Sequence, residues 1–216
     1  MNYRHAYHAG NHADVLKHVL LLALLDALAR KPTPYFVLDT HAGRGVYDLQ
    51  AEEAGKTGEA DDGVARLLAW ARNARPLPTA IARYRNALQV EADAAGDRHR
   101  YPGSPLLTAR ALREGDRLAA CELHPEDAAA LKALFKHDPR VGVHQRDGYG
   151  AIAALLPPKE KRGLVLIDPP YEVKSVPGVP DGVASVCVAV PPNDLNRVVR
   201  SNSGRLVHQE QTFSLV

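Results

Sequence analysis

The chain has 216 residues, enough for one domain with a substantial core and room for one insertion. Hydrophobic residues make up 45% of it and charged residues 24%, which is ordinary for a soluble globular protein. A net charge of +2 permits contact with nucleic acid but does not by itself indicate it. The two cysteines, Cys121 and Cys187, lack metal-ligand spacing, so we expect no metal site and a reducing, cytoplasmic setting.

An apolar segment from Val15 to Ala29 is too short for a membrane span, and Lys17 and His18 interrupt it. No signal peptide is visible before it. We predict a largely buried helix with Asn11 as its N-cap and an end near Lys31. Spacing alone favours His18 as a packed core histidine.

The first predicted strand covers residues 35–39 and ends in Asp39, and a loop with two glycines follows it. The pattern is G-x-G, but Asp48 stands where a third glycine would be, which weakens a dinucleotide interpretation. An acid before a small-residue loop also suits the methionine end of S-adenosylmethionine. His41 lies in this loop, so we expect it to face a ligand.

The composition changes between about residues 51 and 100, where we predict helices at 63–74 and 79–95. This pattern indicates a helical insertion in a sheet protein. The insertion carries several arginines, which could contact phosphate. A solvated helix face is the alternative that the pattern leaves open.

Strands and helices alternate along the rest of the chain, with strands predicted at 117–122, 141–144 and 163–167. This spacing favours a mostly parallel sheet with helices on both faces. Ser104 is predicted to be the N-cap of a helix that has Pro105 at its first position. The candidate strands are followed by acids, which predicts a polar pocket at the carboxyl edge of the sheet: Asp39, Glu122, Asp147 and Asp168.

The sequence Asp168-Pro169-Pro170-Tyr171 follows the last clear strand, and its prolines stop that strand and fix the backbone. The Asp168 carboxylate and the Pro169 carbonyl can accept hydrogen bonds from an NH2 group, and Tyr171 can stack on a planar ring. The motif resembles the catalytic motif of amino-group methyltransferases that act on adenine or cytosine. A proline-rich turn with Tyr171 as packing is the alternative.

With these pieces in order, the chain resembles the bacterial 23S ribosomal RNA adenine-N6 methyltransferase J family from residue 1 to about 172. The histidine-rich run at 8–18 is more specific than the D-P-P-Y motif. The other matching segments lie at 3–5, 38–43, 101–106, 122–125, 147–148 and 166–172. The resemblance implies an α/β, Rossmann-like class I S-adenosylmethionine-dependent methyltransferase fold with a helical insertion at about 51–100.

The resemblance also implies roles for individual residues. Asp168 would be the proton acceptor, assisted by Pro169 and Tyr171, and Tyr3 would contact the RNA from a mobile N-terminal segment. Glu122 would bind the ribose hydroxyls, and Asp147 would lie near the cofactor adenine. The implied S-adenosylmethionine contacts are His18, His41, Ser104, Glu122, Asp147 and Gly148. The expected partner is 23S rRNA before full ribosome assembly, with no membrane, and we expect a cytoplasmic monomer.

After Glu172 the resemblance ends, and residues 173–216 show neither helical nor clean alternating periodicity. We therefore expect a methyltransferase core at 1–172 and an atypical tail, disordered or from a shifted reading frame. The last strands of the sheet would then be missing, and the motif strand would be an unpaired edge. Such a chain is expected to be marginally stable, prone to aggregation or inactive.

Other functions stay open beside rRNA methylation. One is a catalytically impaired, nucleic-acid-binding fragment of such an enzyme, and another is a DNA adenine-N6 methyltransferase. Methylation of a protein glutamine is less favoured, since that activity is associated with Asn rather than Asp at position 168. A nicotinamide-dependent oxidoreductase ranks last because the third glycine is absent.

Overall fold

A computed structural model describes residues 5–51 and 57–169 and the backbone of a strand at 186–190. Tyr3, Tyr171 and the remainder of the predicted tail lie outside these residues. A 3₁₀ turn at His5–Tyr7 precedes the first helix, and a π-helical turn at Asp61–Ala65 leads into the second. The described helices and strands are, in chain order, α1 (His12–Ala29), β1 (Phe36–Asp39), β2 (Val46–Asp48), α2 (Arg66–Asn73), α3 (Thr79–Ala95), β3 (Arg100–Pro102), α4 (Ser104–Ala111), β4 (Arg117–Glu122), α5 (Pro125–Leu134), β5 (Val141–Gln145), α6 (Gly148–Leu155), β6 (Gly163–Ile167) and β7 (Val186–Val190).

The central sheet has the strand order β5-β4-β1-β6-β7, and its first four strands are parallel. The predicted parallel α/β sheet is thus confirmed. Asp39 is in register with Ala120 of β4 and Leu166 of β6. Glu122 and Asp168 each follow two residues beyond those partners, so the three acids meet at the carboxyl edge of the sheet.

Both faces of the sheet are covered, as expected for parallel strands joined by crossover helices. Val37 of β1 points to the face covered by α1, α4 and α5, where it joins Leu21 and Leu25 of α1 in the main core. Phe36 and Leu38 point to the opposite face, which is covered by α6. The alternation along β1 therefore fixes α1 on one side of the sheet and α6 on the other.

β2 and β3 pair in antiparallel fashion and bracket the chain that contains α2 and α3. Both predicted helices of this region are present, although regular α-helix in the first one begins only at Arg66. Buried Tyr84 of α3 packs with Tyr47, Tyr101 and Leu22, which ties these helices to α1 and to the hairpin. The division of the chain into a core and an insertion stays a prediction.

The helix predicted at the N-terminal end of the chain is present as α1, and Asn11 caps it as predicted. The side chain of Asn11 accepts a hydrogen bond of 2.9 Å from the backbone N–H of Asp14. At the other end Arg162, which is buried, donates to the carbonyl oxygen of Leu28 at 2.7 Å. Within the described part of the chain, no helix is both long and apolar enough to cross a membrane.

The unpaired edge expected at the motif strand is wrong. β7 pairs with β6 in antiparallel fashion over its whole length, with Val186 opposite Ile167 and Val190 opposite Gly163. Periodicity missed this strand because its residues are almost all small and apolar, so there is no alternation to detect. The rest of the predicted tail lies outside the described residues.

Candidate active site

A cleft of about 320 Å³ opens at the carboxyl edge of the sheet, between the start of α1 and the loops after β1, β4, β5 and β6. Seven residues predicted to be functional line it together: His41, Ser104, Glu122, Asp147, Gly148, Asp168 and Pro169. Residues that the sequence did not single out as functional also line it, among them His5, Asn11, Asp14, Lys17, Leu123 and Tyr149. The structure thus brings most of the predicted residues to one place.

Asp168, the acid of the D-P-P-Y motif, is held by a lysine from α1. The ammonium Nζ of Lys17 lies 2.7 Å from Asp168 Oδ2 and 2.6 Å from Asp14 Oδ1. The side chain of Lys17 is only 6% exposed and that of Asp168 only 17% exposed. This triad of Asp14, Lys17 and Asp168 fixes the motif acid at the wall of the cleft.

The charges of the triad shift the pKa values of Lys17 and Asp14. Burial alone would lower the pKa of Lys17, but the carboxylates of Asp14 and Asp168 raise it well above its ordinary value. Burial alone would raise the pKa of Asp14, but His5 and Lys17 hold it well below its ordinary value. Lys17 therefore stays charged at neutral pH, and Asp14 stays ionised.

The N-terminal segment closes around Asp14. Its carboxylate oxygen Oδ2 accepts hydrogen bonds of 3.0 Å from the backbone N–H of Gly10 and from the ring Nε2 of His5. Asn11, which caps α1, also donates to Glu59 at 3.0 Å. The segment is therefore anchored both to α1 and to the chain that leads into α2.

Ser104 does not cap a helix, contrary to the prediction. It is the first residue of α4, Gly103 occupies the N-cap position, and the Ser104 hydroxyl donates a hydrogen bond of 2.7 Å to Asp39 Oδ2. A carboxylate is a strong hydrogen-bond acceptor. The Ser104 hydroxyl therefore turns toward Asp39 rather than toward the backbone N–H groups of the first helical turn. Asp39 is fully buried, and burial raises its pKa to about 6 although the Ser104 hydrogen bond opposes the rise.

Glu122 is oriented by backbone N–H groups at the end of β4. Its Oε2 accepts from Gly43 at 2.9 Å, and its Oε1 accepts from His124 at 2.7 Å. Each carboxylate oxygen has a second lone pair, so this arrangement leaves acceptor capacity for a ligand in the cleft. Leu123, the next residue, also lines the cleft and is 52% exposed. A polar acceptor and an apolar surface thus lie side by side.

Asp147 lies two residues beyond β5 rather than at its end. It caps α6, and its Oδ2 accepts from the backbone N–H of Gly150 at 2.6 Å. Gly148 begins the helix, and a Cβ at this position would overlap the carbonyl oxygen of Thr40. The ring of His41 meets that of Tyr149 edge to face, with the ring centroids 5.4 Å apart. The loops after β1 and β5 are therefore in direct contact.

His18 does not line the cleft. It is fully buried, and its Nδ1 lies 3.0 Å from the Tyr101 hydroxyl. Its Nε2 is buried and has no hydrogen-bond partner among the described residues. Burial lowers the pKa of His18 to about 3, so the ring is neutral. Its assignment to the cofactor stays a prediction, and Tyr3 and Tyr171 lie outside the described residues.

Sequence reasoning missed the roles of Lys17 and Asp14. A signal was present, because two charged side chains three residues apart share one side of a helix that is otherwise almost wholly apolar. Such charges are rarely buried unless they are paired. Across residues 5–51 and 57–169, no group of three or more His, Cys, Asp or Glu side chains is arranged to hold a metal ion.

The sequence of this chain is similar to those of known proteins. The model of the family described as Ribosomal RNA large subunit methyltransferase D, RlmJ, matches residues 32–185. The chain belongs to this family. Its members named Ribosomal RNA large subunit methyltransferase J include one from Escherichia coli, strain K12, which is 40% identical over 96% of this chain and 74% of its own length. Another, from Haemophilus influenzae, is 46% identical over 81% of this chain and 60% of its own length.

A solved structure supports the fold assignment. A crystal structure of a Legionella pneumophila protein is 40% identical and superposes with a TM-score of 0.67. The match covers 77% of this chain and 59% of that one, so the chain spans less than two thirds of that relative. The Rossmann-like methyltransferase fold expected from the sequence is thus confirmed for this family member.

Proposed function

We propose that the protein transfers a methyl group from S-adenosylmethionine to the exocyclic N6 of an adenine in 23S rRNA. The observation that carries the proposal is the ion pair between Lys17 and Asp168, with Nζ and Oδ2 2.7 Å apart. It fixes the acid of an amino-methyltransferase motif at a cleft that Pro169 also lines. We further propose that the enzyme acts as a cytoplasmic monomer, on rRNA that is not yet fully assembled into ribosomes.

The residues around the cleft fit S-adenosylmethionine. The cleft volume of about 320 Å³ lies in the range of small-molecule sites. We propose that the remaining lone pairs of Glu122 accept from the ribose hydroxyls and that Asp147 accepts from the adenine amine. Leu123 would pack against the adenine ring. The loop from His41 to Gly43 and the Ser104 side chain would hold the methionine end.

The bound cofactor would supply an electrophilic methyl group on its sulfonium. The adenine amine is a poor nucleophile because its lone pair is delocalised into the ring. The Asp168 carboxylate beside Lys17 can accept one N–H of the amine, and the Pro169 carbonyl can accept the other. These two hydrogen bonds would orient the nitrogen for in-line attack. The Asp168 carboxylate would then take the proton released by the amine.

Lys17 orients the motif acid for this proposed reaction. Its ammonium lies 2.7 Å from Asp168 Oδ2 and restricts the carboxylate to one orientation. Asp14 holds Lys17 in turn, with Nζ and Oδ1 2.6 Å apart. We propose Tyr171 as the stacking partner of a base that has left its helix or loop.

The first experiment is calorimetric titration of the full chain with S-adenosylmethionine, followed by methyl transfer to deproteinised 23S rRNA. One-to-one binding, and transfer of the methyl to adenine N6, are expected. Duplex DNA in excess over the rRNA should not reduce methylation of the rRNA. Effective competition by DNA would instead favour a DNA adenine-N6 methyltransferase. RNA binding without methyl transfer would favour an impaired, nucleic-acid-binding protein, and a product other than N6-methyladenine would overturn the proposal.

A further inference from the structure

The charged residues from Arg66 to Val90 are all positive. Its 25 positions include no Asp, Glu or Lys, and its five charged residues are all arginines: Arg66, Arg72, Arg75, Arg83 and Arg85. The whole protein carries a net charge of only +2, so the remainder is net negative. Positive charge is therefore concentrated on the region formed by α2 and α3.

Helix α2 turns an aromatic and cationic face outward. Ala71 is fully buried, and Leu67 and Leu68 pack against the cluster around Tyr84. Arg66, Trp70 and Asn73 follow the spacing i, i+4, i+7 and share the opposite, exposed side. Trp70 is 51% exposed and is the only tryptophan of the chain. We use the name α2 face for Arg66, Trp70 and Asn73 together with Arg72, which is exposed on the flank of the same short helix.

Within the described part of the chain, Arg83 is the one arginine of these five that forms an ion pair. Arg83 pairs with Asp26, its Nε lying 3.3 Å from Oδ2, and Arg75 donates to the Ala74 carbonyl oxygen at 2.6 Å. Arg66 and Arg72 are exposed and have no ion pair within the part of the chain that the structure describes. The α2 face thus offers two guanidinium groups without an ion pair among the described residues. Arg66 lies one helical turn before the exposed indole of Trp70, and Arg72 lies on the flank of the same helix.

The α2 face lies close to the cleft along the chain. Val64 donates its backbone N–H to the Gly10 carbonyl oxygen at 2.8 Å, next to Asn11, which lines the cleft. α2 begins two residues after Val64 and, with eight residues, is about 12 Å long. A polymer whose reacting base enters the cleft can therefore reach this helix.

We propose that the α2 face binds a single-stranded segment of the substrate RNA, with Trp70 stacked on a base and Arg66 and Arg72 on phosphates. The inference rests on the proposed function, which makes RNA the substrate. Guanidinium groups match phosphate geometry, and an exposed indole stacks on any base. A protein partner is less favoured because a single tryptophan surrounded by charge is not a contiguous apolar patch.

Trp70 is itself the probe, because it is the only source of tryptophan fluorescence. Its emission is followed during titration with a short oligoadenylate strand, with the same strand in a duplex with oligouridylate, and with heparin. Stacking should quench the emission with the single strand and much less with the duplex. Equal quenching by heparin would overturn the stacking assignment, as would no quenching by a single strand that binds.

Substitutions separate the indole from the charges. Trp70→Ala should weaken single-strand binding roughly tenfold, and Trp70→Phe should retain much of it. The pair Arg66→Gln and Arg72→Gln should reduce the slope of log affinity against log salt by about 1.4. The matched control, Arg30→Gln with Arg98→Gln, removes equal charge from exposed arginines elsewhere and should leave the slope nearly unchanged.

The results distinguish this proposal from the proposed function. If Trp70→Ala and the double arginine variant bind and methylate 23S rRNA as the wild type does, the α2 face is overturned and the methyltransferase proposal stands. If the wild type binds S-adenosylmethionine but neither binds nor methylates RNA, both proposals fall. Weaker RNA binding with unchanged S-adenosylmethionine affinity is the expected result.

Discussion

The ammonium group of Lys17 lies 2.7 Å from a carboxylate oxygen of Asp168, although 151 positions separate the two residues in the chain. Lys17 comes from the second turn of α1, and Asp168 follows β6 at the carboxyl edge of the sheet. The N-terminal helix therefore takes part directly in the proposed catalytic centre. A change in the N-terminal segment can reach Asp168 through Asp14 and Lys17.

Replacing Asp168 with Asn should abolish turnover and spare cofactor binding. The amide cannot accept a proton as the carboxylate does. Loss of a general base typically lowers the rate by roughly 10² to 10⁴-fold. Calorimetry should give an S-adenosylmethionine affinity close to that of the wild type. Asp138→Asn is the control, since Asp138 precedes β5 at the opposite edge of the sheet and pairs with Arg140. Unchanged methylation by Asp168→Asn would refute the assigned role.

Replacing Lys17 with Met should destabilise the fold. The change leaves Asp14 and Asp168 without their shared ammonium in a buried setting, and breaking such a pair typically costs about 3 to 5 kcal/mol. Urea denaturation at pH 7 measures the loss. The double variant Asp14→Asn with Lys17→Met should recover part of it, because one of the two carboxylates that lose the ammonium is gone. Equal instability of the single and double variants would contradict the coupling.

The positions of the four parallel strands and of three strand-end acids could be predicted because they depend on local pattern. Apolar runs that end in an acid require only short-range information, and Asp39, Glu122 and Asp168 do meet at one edge. The partner of each acid could not be predicted. Lys17 reaches Asp168, and Ser104 reaches Asp39, only through the crossing of α1 and α4 over the sheet. Those pairings are set by tertiary packing, which spacing does not record.

The stability contribution of Asp39 should depend on pH. Its pKa is raised from an ordinary 3.8 to about 6 because the carboxylate is buried. Between these values the folded protein binds more protons than the unfolded chain, so the free energy of unfolding falls as the pH rises from about 4 to about 6. The shift corresponds to about 3 kcal/mol at most. About one pH unit above the folded pKa, near pH 7, the loss is complete and this contribution is flat.

The variant Asp39→Asn should lose that pH dependence. Its side-chain amide oxygen can still accept the hydrogen bond from Ser104. The measurement is the free energy of unfolding of both proteins between pH 4 and pH 7, about the interval set by the two pKa values. Asp138→Asn serves as a control of opposite sign, because a hydrogen bond from Arg140 lowers the pKa of Asp138. An identical pH profile for Asp39→Asn and the wild type would show that Asp39 does not titrate in this range.

Gly148→Ala should disrupt the cleft, whereas Gly150→Ala in the same helix should not. A Cβ at Gly148 would overlap the Thr40 carbonyl oxygen, which is backbone and cannot move without shifting the loop after β1. That loop carries His41 and the Gly43 amide that orients Glu122. A Cβ at Gly150 would meet side-chain atoms instead, the Asp147 carboxylate at 3.2 Å and the Arg146 guanidinium at 3.9 Å. Alanine also favours helix over glycine by about 1 kcal/mol, which offsets that contact.

Calorimetric titration with S-adenosylmethionine tests this pair of variants, with thermal unfolding as the check on folding. Gly148→Ala should lose at least about tenfold in cofactor affinity, equivalent to about 1.4 kcal/mol. Gly150→Ala should bind with nearly the affinity of the wild type. If Gly148→Ala folds and binds normally, the loops after β1 and β5 can separate without cost, and their contact does not shape the site. If both variants lose affinity equally, the defect lies in α6 as a whole rather than at the Thr40 contact.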